Sequence, residues 1–334
     1  MKKTLTLVAA IVAAGGSAAF ADIVVDGSLD AGYGKALAVQ DSQTQFGDSN
    51  LGVIDYANGS ELDNGYGLID GDYLRIFLGG NLESNFNKLE VFLDFTSRGQ
   101  NRLRGDNPDV DFNGLNRLGD DGSGNGLTFD KGFAADFYFT TTCGGGPFST
   151  YANTAQIFSD GGGFGEYIGS GGSGTAILNG SNGTLVGYNN SNVGGVIGGS
   201  KLGSGFGVTT GVETAIPLGL IGYKGGDVKV CAFVNGAGHD FVSNQVLGGI
   251  GGGVNLGEPR FVNFAQVPGD QYFVIPAGGG GGCTGDLNGD QVIDASDLAV
   301  VLGGWGTAGT DLNNDGTTDA TDLAIVLGAW GACP

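Results

Sequence analysis

Apolar and polar residues alternate with a period of two in several short stretches of the chain. Leu89, Val91, Leu93 and Phe95 alternate with Lys88, Glu90, Phe92 and Asp94. Val228, Val230, Ala232 and Val234 alternate with Lys229, Cys231, Phe233 and Asn235. A strand turns successive side chains to opposite faces, so this spacing predicts half-buried strands. Aromatic or β-branched runs at 73–78, 133–140, 208–216 and 271–275 are bounded by Gly, Asn or Asp and read the same way. Many short strands with no long 3.6-residue period predict a mainly β chain, an antiparallel β-sandwich over residues 22–277. Residues 144–206 carry Gly, Ser and Asn tracts such as Gly161-Gly-Gly-Phe-Gly, which predict a long, loosely ordered insertion between strands. The glycine run 278–282 predicts a flexible linker.

Beyond the linker the period changes. A segment from Asp286 to Gly306 recurs from Asp311 to Gly331, with 14 of 21 positions identical. Two copies of one short unit predict two units packed about a pseudo-twofold axis. Each contains an Asp-Leu-Ala-Val/Ile-Val-Leu-Gly helix, with Leu298, Val301 and Leu302, and then Leu323, Val326 and Leu327, at i, i+3, i+4 spacing. Trp305 and Trp330, the two tryptophans of the chain, end these helices and are expected to pack the units together.

Ahead of each helix, oxygen-bearing residues stand at the spacing of a calcium loop. In the first loop these are Asp286, Asn288 and Asp290 at positions one, three and five, then Asp294 at nine and Asp297 at twelve. The second loop has Asp311, Asn313, Asp315, Asp319 and Asp322. Val292 and Thr317 would each add a backbone carbonyl at position seven. Ca²⁺ takes six to eight hard oxygens at about 2.3–2.6 Å, and this pattern supplies them twice, so two ions are expected. Mg²⁺ demands a tighter octahedron and keeps more water. Residues 283–334 carry eight Asp and no Lys, Arg or Glu, and carboxylates this crowded repel one another without a cation. Gln291 replaces the glycine expected at position six of the first loop, so the second loop is expected to be the more regular.

Charge narrows the partners. The chain has 14 Lys and Arg against 35 Asp and Glu, a formal net charge of −21. Such a surface repels phosphate backbones and anionic lipid, which argues against nucleic acid and against membrane surfaces. Lys2 and Lys3, the apolar stretch Leu5 to Ala14 and the small residues of Ala19-Phe20-Ala21 read as a signal peptide over residues 1–21. No other apolar run approaches a membrane span, so a secreted or cell-surface protein is expected, with no membrane span after cleavage. Export permits disulfides. Of the three pairings open to the four cysteines, Cys143–Cys231 and Cys283–Cys333 are favoured, the second because it brackets the repeat.

The repeat resembles the dockerin type I repeat, a pair of calcium-binding half-EF-hands joined by a linker. The resemblance covers residues 283–334 and implies a cohesin-like or other envelope partner, recognised in part through Ala295-Ser296 and Ala320-Thr321. It also implies a context of polysaccharide breakdown. Three earlier segments, Val25-Asp-Gly-Ser-Leu-Asp, Asn87-Lys-Leu-Glu-Val-Phe-Leu-Asp and Val212-Glu-Thr-Ala-Ile-Pro-Leu, are similar in outline to DOMON-type and family-9 carbohydrate-binding sandwiches. That similarity implies a jelly-roll-like sandwich and glycan binding.

Catalysis has little support in the residues. Glycosidases need two carboxylates at a fixed separation, and Glu61, Glu83, Glu90, Glu166, Glu213 and Glu258 are all candidates with nothing to single out a pair. His239 and Asp240, adjacent in the chain, would point to opposite faces of a strand, and His239 is expected to be a loop residue at a strand end. The expectation is a non-catalytic calcium-binding protein of a surface, matrix or assembly kind. Carbohydrate-binding and polysaccharide-catabolic readings stand beside it.

Overall fold

The computed structural model describes residues 23–40, 42–46, 59–146, 148–172, 175–192, 194–196, 205–251, 253–277, 285–287, 292–307, 310–313 and 316–332. The expected signal peptide and the 278–282 linker lie outside them. In chain order the strands of the larger part are β1 (Ala38–Val39), β2 (Glu61–Asp70), β3 (Tyr73–Asn81), β4 (Asn85–Asp94), β5 (Phe137–Gly144), β6 (Ser149–Gln156), β7 (Gly165–Gly171), β8 (Thr175–Asn179), β9 (Leu185–Asn189), β10 (Gly211–Pro217), β11 (Val228–Asn235), β12 (Val242–Val246) and β13 (Phe273–Ile275). They form two antiparallel sheets. The first has the order β1-β2-β3-β10-β9-β8. The second has the order β12-β11-β4-β5-β6-β7, with β13 also paired to β11. The chain crosses between sheets at β3–β4, β7–β8 and β10–β11; β3 and β10 are neighbours in the first sheet, and β4 and β11 in the second.

One core lies between the sheets. Leu74, Ile76, Leu78, Val186 and Val212 of the first meet Leu89, Val91, Leu93, Phe139, Val230 and Val234 of the second. The alternation in β4 and β11 is therefore as expected, but the opposite face of the second sheet is also covered. Phe92, Tyr138, Cys231 and Phe233 are buried there under Leu103, Leu115, Leu118, Leu127, Phe129 and Phe264 from the intervening loops and the short helix α1 (Gly114–Leu118). The outer face of the first sheet carries a smaller cluster, in which Tyr33 from the N-terminal segment packs on Tyr66, Leu68 and Phe77.

Two expectations fail here. Residues 144–206 are not a loose insertion, because their described part holds β6, β7, β8 and β9, which lie in both sheets. Their glycines permit close contacts between strands. A Cβ on Gly171 would come 2.4 Å from that of Ala176, and one on Gly187 would come 2.5 Å from the backbone nitrogens of Asp26 and Gly27. Cys143 and Cys231 are both buried but are not bonded to each other. Their side chains lie on opposite faces of the second sheet, Cys143 in the inter-sheet core and Cys231 in the outer cluster. The Cys143 thiol donates towards the carbonyls of Leu82 and Glu83 at 3.4 and 3.3 Å. Cys283 and Cys333 lie outside the described residues.

The C-terminal part contains β14 (Val292–Ile293), α3 (Ala295–Gly303), α4 (Ala320–Gly328) and β15 (Gly331–Ala332), while the helix α2 (Leu218–Ile221) belongs to the β part and follows β10. Ile293, Val301 and Val326 are fully buried, and Leu287, Leu298, Leu312 and Leu323 pack on them. Leu302, Leu327, Trp305 and Trp330 were expected to join this core and do not; each is about half exposed. Val301, Val326 and Ile293 fill the seam with the four leucines around them, and the tryptophans lie two residues past the helix ends.

Candidate functional site

The two calcium-like units are alike in detail. Asp294 and Asp319 are N-caps, each accepting from the N–H two residues on at 2.7 Å. The acids three residues later close reciprocal capping boxes. Asp297 and Asp322 are fully buried. Asp297 Oδ1 accepts from Leu287 N–H at 2.7 Å and its Oδ2 from Asp294 N–H at 2.8 Å. In the second unit Asp322 Oδ1 accepts from Leu312 and Asn313 N–H at 2.6 and 3.2 Å, and Oδ2 from Asp319 N–H at 2.7 Å. Burial alone would raise the Asp322 carboxyl, but these backbone donors hold it below the usual carboxylate range. Position twelve is thus folded back onto the first residues of each loop. At the sixth position Gly316 has φ +95° and donates its N–H to Asp311 Oδ2 at 2.5 Å. Its counterpart Gln291, with Asn288, Asp290 and Asp315, lies outside the described residues.

The units also complete each other. Ile293 of the first loop pairs with Gly331 after the second helix. Thr318, its counterpart 25 residues on, receives the N–H of Gly306 after the first helix at 2.9 Å. Gly306 and Gly331 both have positive φ, which accounts for a glycine after each tryptophan.

Of the expected ligands, Asp286, Val292, Asp294, Asp297, Asp311, Asn313, Thr317, Asp319 and Asp322 are described. Among the described residues no three His, Cys, Asp or Glu side chains converge on one point. The described set nevertheless fits a cation in one respect. Asp286, Asp297 and Asp322 are buried carboxylates in a segment without a basic residue, and each carboxylate oxygen that accepts one N–H keeps a lone pair for a metal.

A second site lies on the outer face of the second sheet. A cleft of about 830 Å³ is lined by Phe86, Phe112, Tyr151 and Tyr167 together with Lys88, Asp109, Thr142, Asn153 and Glu166. The rings of Phe86 and Tyr151 lie 6.3 Å apart, Phe112 is fully exposed and Tyr167 more than half exposed. Asp111, Phe112 and Asn113 are consecutive non-glycine residues with left-handed φ of 46°, 56° and 65°. Such a run is strained, and it holds Phe112 out at the rim.

Beneath the rim lies a buried charge cluster. His239 Nδ1 is 2.7 Å from Glu90 Oε1 and its Nε2 is 3.0 Å from Asp111 Oδ2, while Lys88 Nζ pairs with Asp111 at 2.8 Å. Tyr138 donates to Glu90 Oε2 at 2.6 Å and Asn235 to Oε1 at 3.0 Å. Burial would keep the imidazole neutral, but the Glu90 charge, with hydrogen bonds to Asp111 and Glu90, overrides it and raises the His239 pKa to about 9. Glu90 is lowered despite full burial, chiefly by His239. A Cβ on Gly114 would lie 2.2 Å from His239 Nε2, so only glycine lets α1 sit against the ring.

His239 is a loop residue after β11, as expected, but the sequence gives no sign of its partners, which lie 149 and 128 positions away. The other candidate acids are dispersed. Glu166 lines the cleft, Glu258 pairs with Arg117, Glu83 accepts from Asn85 and Asn87, and Glu61 lies beside Asp63 on the other sheet. Glu213 Oε2 accepts from Asp26 and Gly27 N–H at 2.9 and 3.2 Å, and Tyr33 donates to its Oε1 at 2.8 Å. No family model, no curated protein and no solved structure matches the chain.

Proposed function

We propose that the chain is an exported, non-catalytic calcium-binding protein whose C-terminal repeat is a dockerin-like module holding two Ca²⁺ ions and attaching the β part to an envelope partner. The observation that carries this reading is the closure of each loop on a fully buried twelfth-position aspartate, repeated in both units. Calcium would neutralise the buried carboxylates and supply the charge that no Lys or Arg in the segment supplies. Leu302 and Trp305, repeated as Leu327 and Trp330, offer a symmetric apolar surface for the partner. Because metal binding and folding are coupled in such modules, and both tryptophans sit at helix ends, indole emission reports the transition. In the chelator-treated full chain, a calcium titration is expected to shift tryptophan emission in one saturable step. Emission unchanged across the titration would overturn the reading.

A second reading, glycan binding by the β part, is favoured by the cleft. Exposed Phe and Tyr rings flanked by amide, carboxylate and ammonium groups suit the apolar faces and hydroxyl edges of sugars. The similarity to DOMON-type and family-9 sandwiches is supported by Glu213, which ties the segment beginning at Val25 to the one beginning at Val212.

A further inference from the structure

A β-bulge in β2 brings two carboxylates together on the first sheet. The register with β3 shifts between Leu62 and Asn64, so Glu61, Asp63 and Asn64 all reach the same covering segment. Glu61 Oε1 accepts from Val196 N–H at 2.9 Å, Asp63 Oδ2 from Asn192 Nδ2 at 3.1 Å, and Asn64 Nδ2 donates to Gly205 and Val208 carbonyls. Glu61 is 3% exposed and Asp63 fully buried. The two carboxyl groups are within hydrogen-bonding reach of each other. Among the described residues no Lys, Arg or His forms an ion pair with either.

Four buried acceptor oxygens on this patch have no donor: Glu61 Oε2, Asp63 Oδ1, Asn64 Oδ1 and, on the cross-strand partner of Glu61, Asn81 Oδ1. Burial of uncompensated charge raises the Glu61 pKa to about 7 and that of Asp63 well above its ordinary value. A Cβ on Gly195 would lie 2.2 Å from Glu61 Oε1, so the covering loop is pressed against the carboxylate. A proton shared by the two acids would satisfy one pair of oxygens and leave the amide oxygens bare. A hard cation accepts oxygen ligands alone and in larger number. Bulges are a recurrent means of re-aiming side chains at sites.

We propose that Glu61 and Asp63 hold a calcium-class divalent cation beneath Asn192 and residues 194–196, a site independent of the C-terminal repeat. The test is calcium stoichiometry by equilibrium dialysis on the full chain. With both readings correct, the parent binds three ions, Glu61→Gln/Asp63→Asn binds two, and Asp297→Asn/Asp322→Asn retains one. Calcium should raise the unfolding temperature of this last variant. If the repeat binds nothing, the parent binds one ion, and Glu61→Gln/Asp63→Asn loses it. Equal stoichiometry in the parent and Glu61→Gln/Asp63→Asn would overturn the proposal, whatever the repeat does. Should that variant not fold, the unfolding temperature of Asp297→Asn/Asp322→Asn decides: no rise with calcium overturns the proposal. A shared proton predicts that same flat response.

Discussion

Lys88, Glu90, Asp111 and His239 place two positive and two negative groups out of water in mutual contact. Removing one member of such a set strands the others, at a cost of about 3–5 kcal/mol. The histidine also sets a pH dependence. Its pKa rises from an ordinary 6.5 to about 9 on folding, so the stability it contributes is complete below the lower value and is lost as pH climbs through the upper one. Full-chain urea melts at pH 6 and pH 10 are expected to show His239→Gln several kcal/mol less stable at pH 6, with the gap narrowing by about 3 kcal/mol at pH 10. A gap independent of pH would mean that the imidazole is neutral in the folded protein. The sequence marks Glu90 as an outward strand position and His239 as a loop residue. It cannot mark them as partners, because contact depends on how α1 and the left-handed turn at 111–113 close over β4.

At the scale of elements, the strands richest in β-branched and aromatic residues, such as β3, β4, β10 and β11, were legible. The strands between 149 and 189 were not: in β6 small and polar residues replace the apolar half of the alternation, and β8 and β9, which do send Leu178, Val186 and Tyr188 into the core, are only five residues long amid Gly and Asn. In β6 the buried positions are Thr150, Ala152, Asn153, Thr154 and Ala155. Glycine there reads as looseness but serves proximity. The N-terminal segment lies directly on Gly187 of β9, where Glu213 of the adjoining β10 gathers its N–H groups. Gly187→Ala is expected to destabilise by about 1–3 kcal/mol through overpacking against backbone that has no rotamer to yield. Gly172→Ala, where an added methyl meets nothing, should be close to neutral. Equal urea midpoints for the two variants would show that the segment is not seated on β9.

For the whole molecule, two sheets sharing a core followed Gly-bounded alternation, but the second layer over the outer sheet did not. Its residues come from loops between 95 and 136 and between 250 and 267 with no period to betray them. The cleft is a product of that layer, so its aromatic rim was invisible in the sequence, where only the lack of tryptophan in the β part was plain. If sugars occupy it, a glycan array with the full chain should show binding that Tyr167→Ala and Phe112→Ala abolish without lowering the unfolding temperature, since both side chains are exposed. Retained binding in both variants would remove the cleft from consideration.

The crossed pairing of Ile293 with Gly331 and of Thr318 with Gly306 reaches further than packing. Half of the tail, cut free, would expose an unfilled strand edge and a bare valine, and could bury them only against a second molecule. The tail is in effect a homodimer whose protomers have been spliced into one polypeptide, so damage to either copy is felt in both.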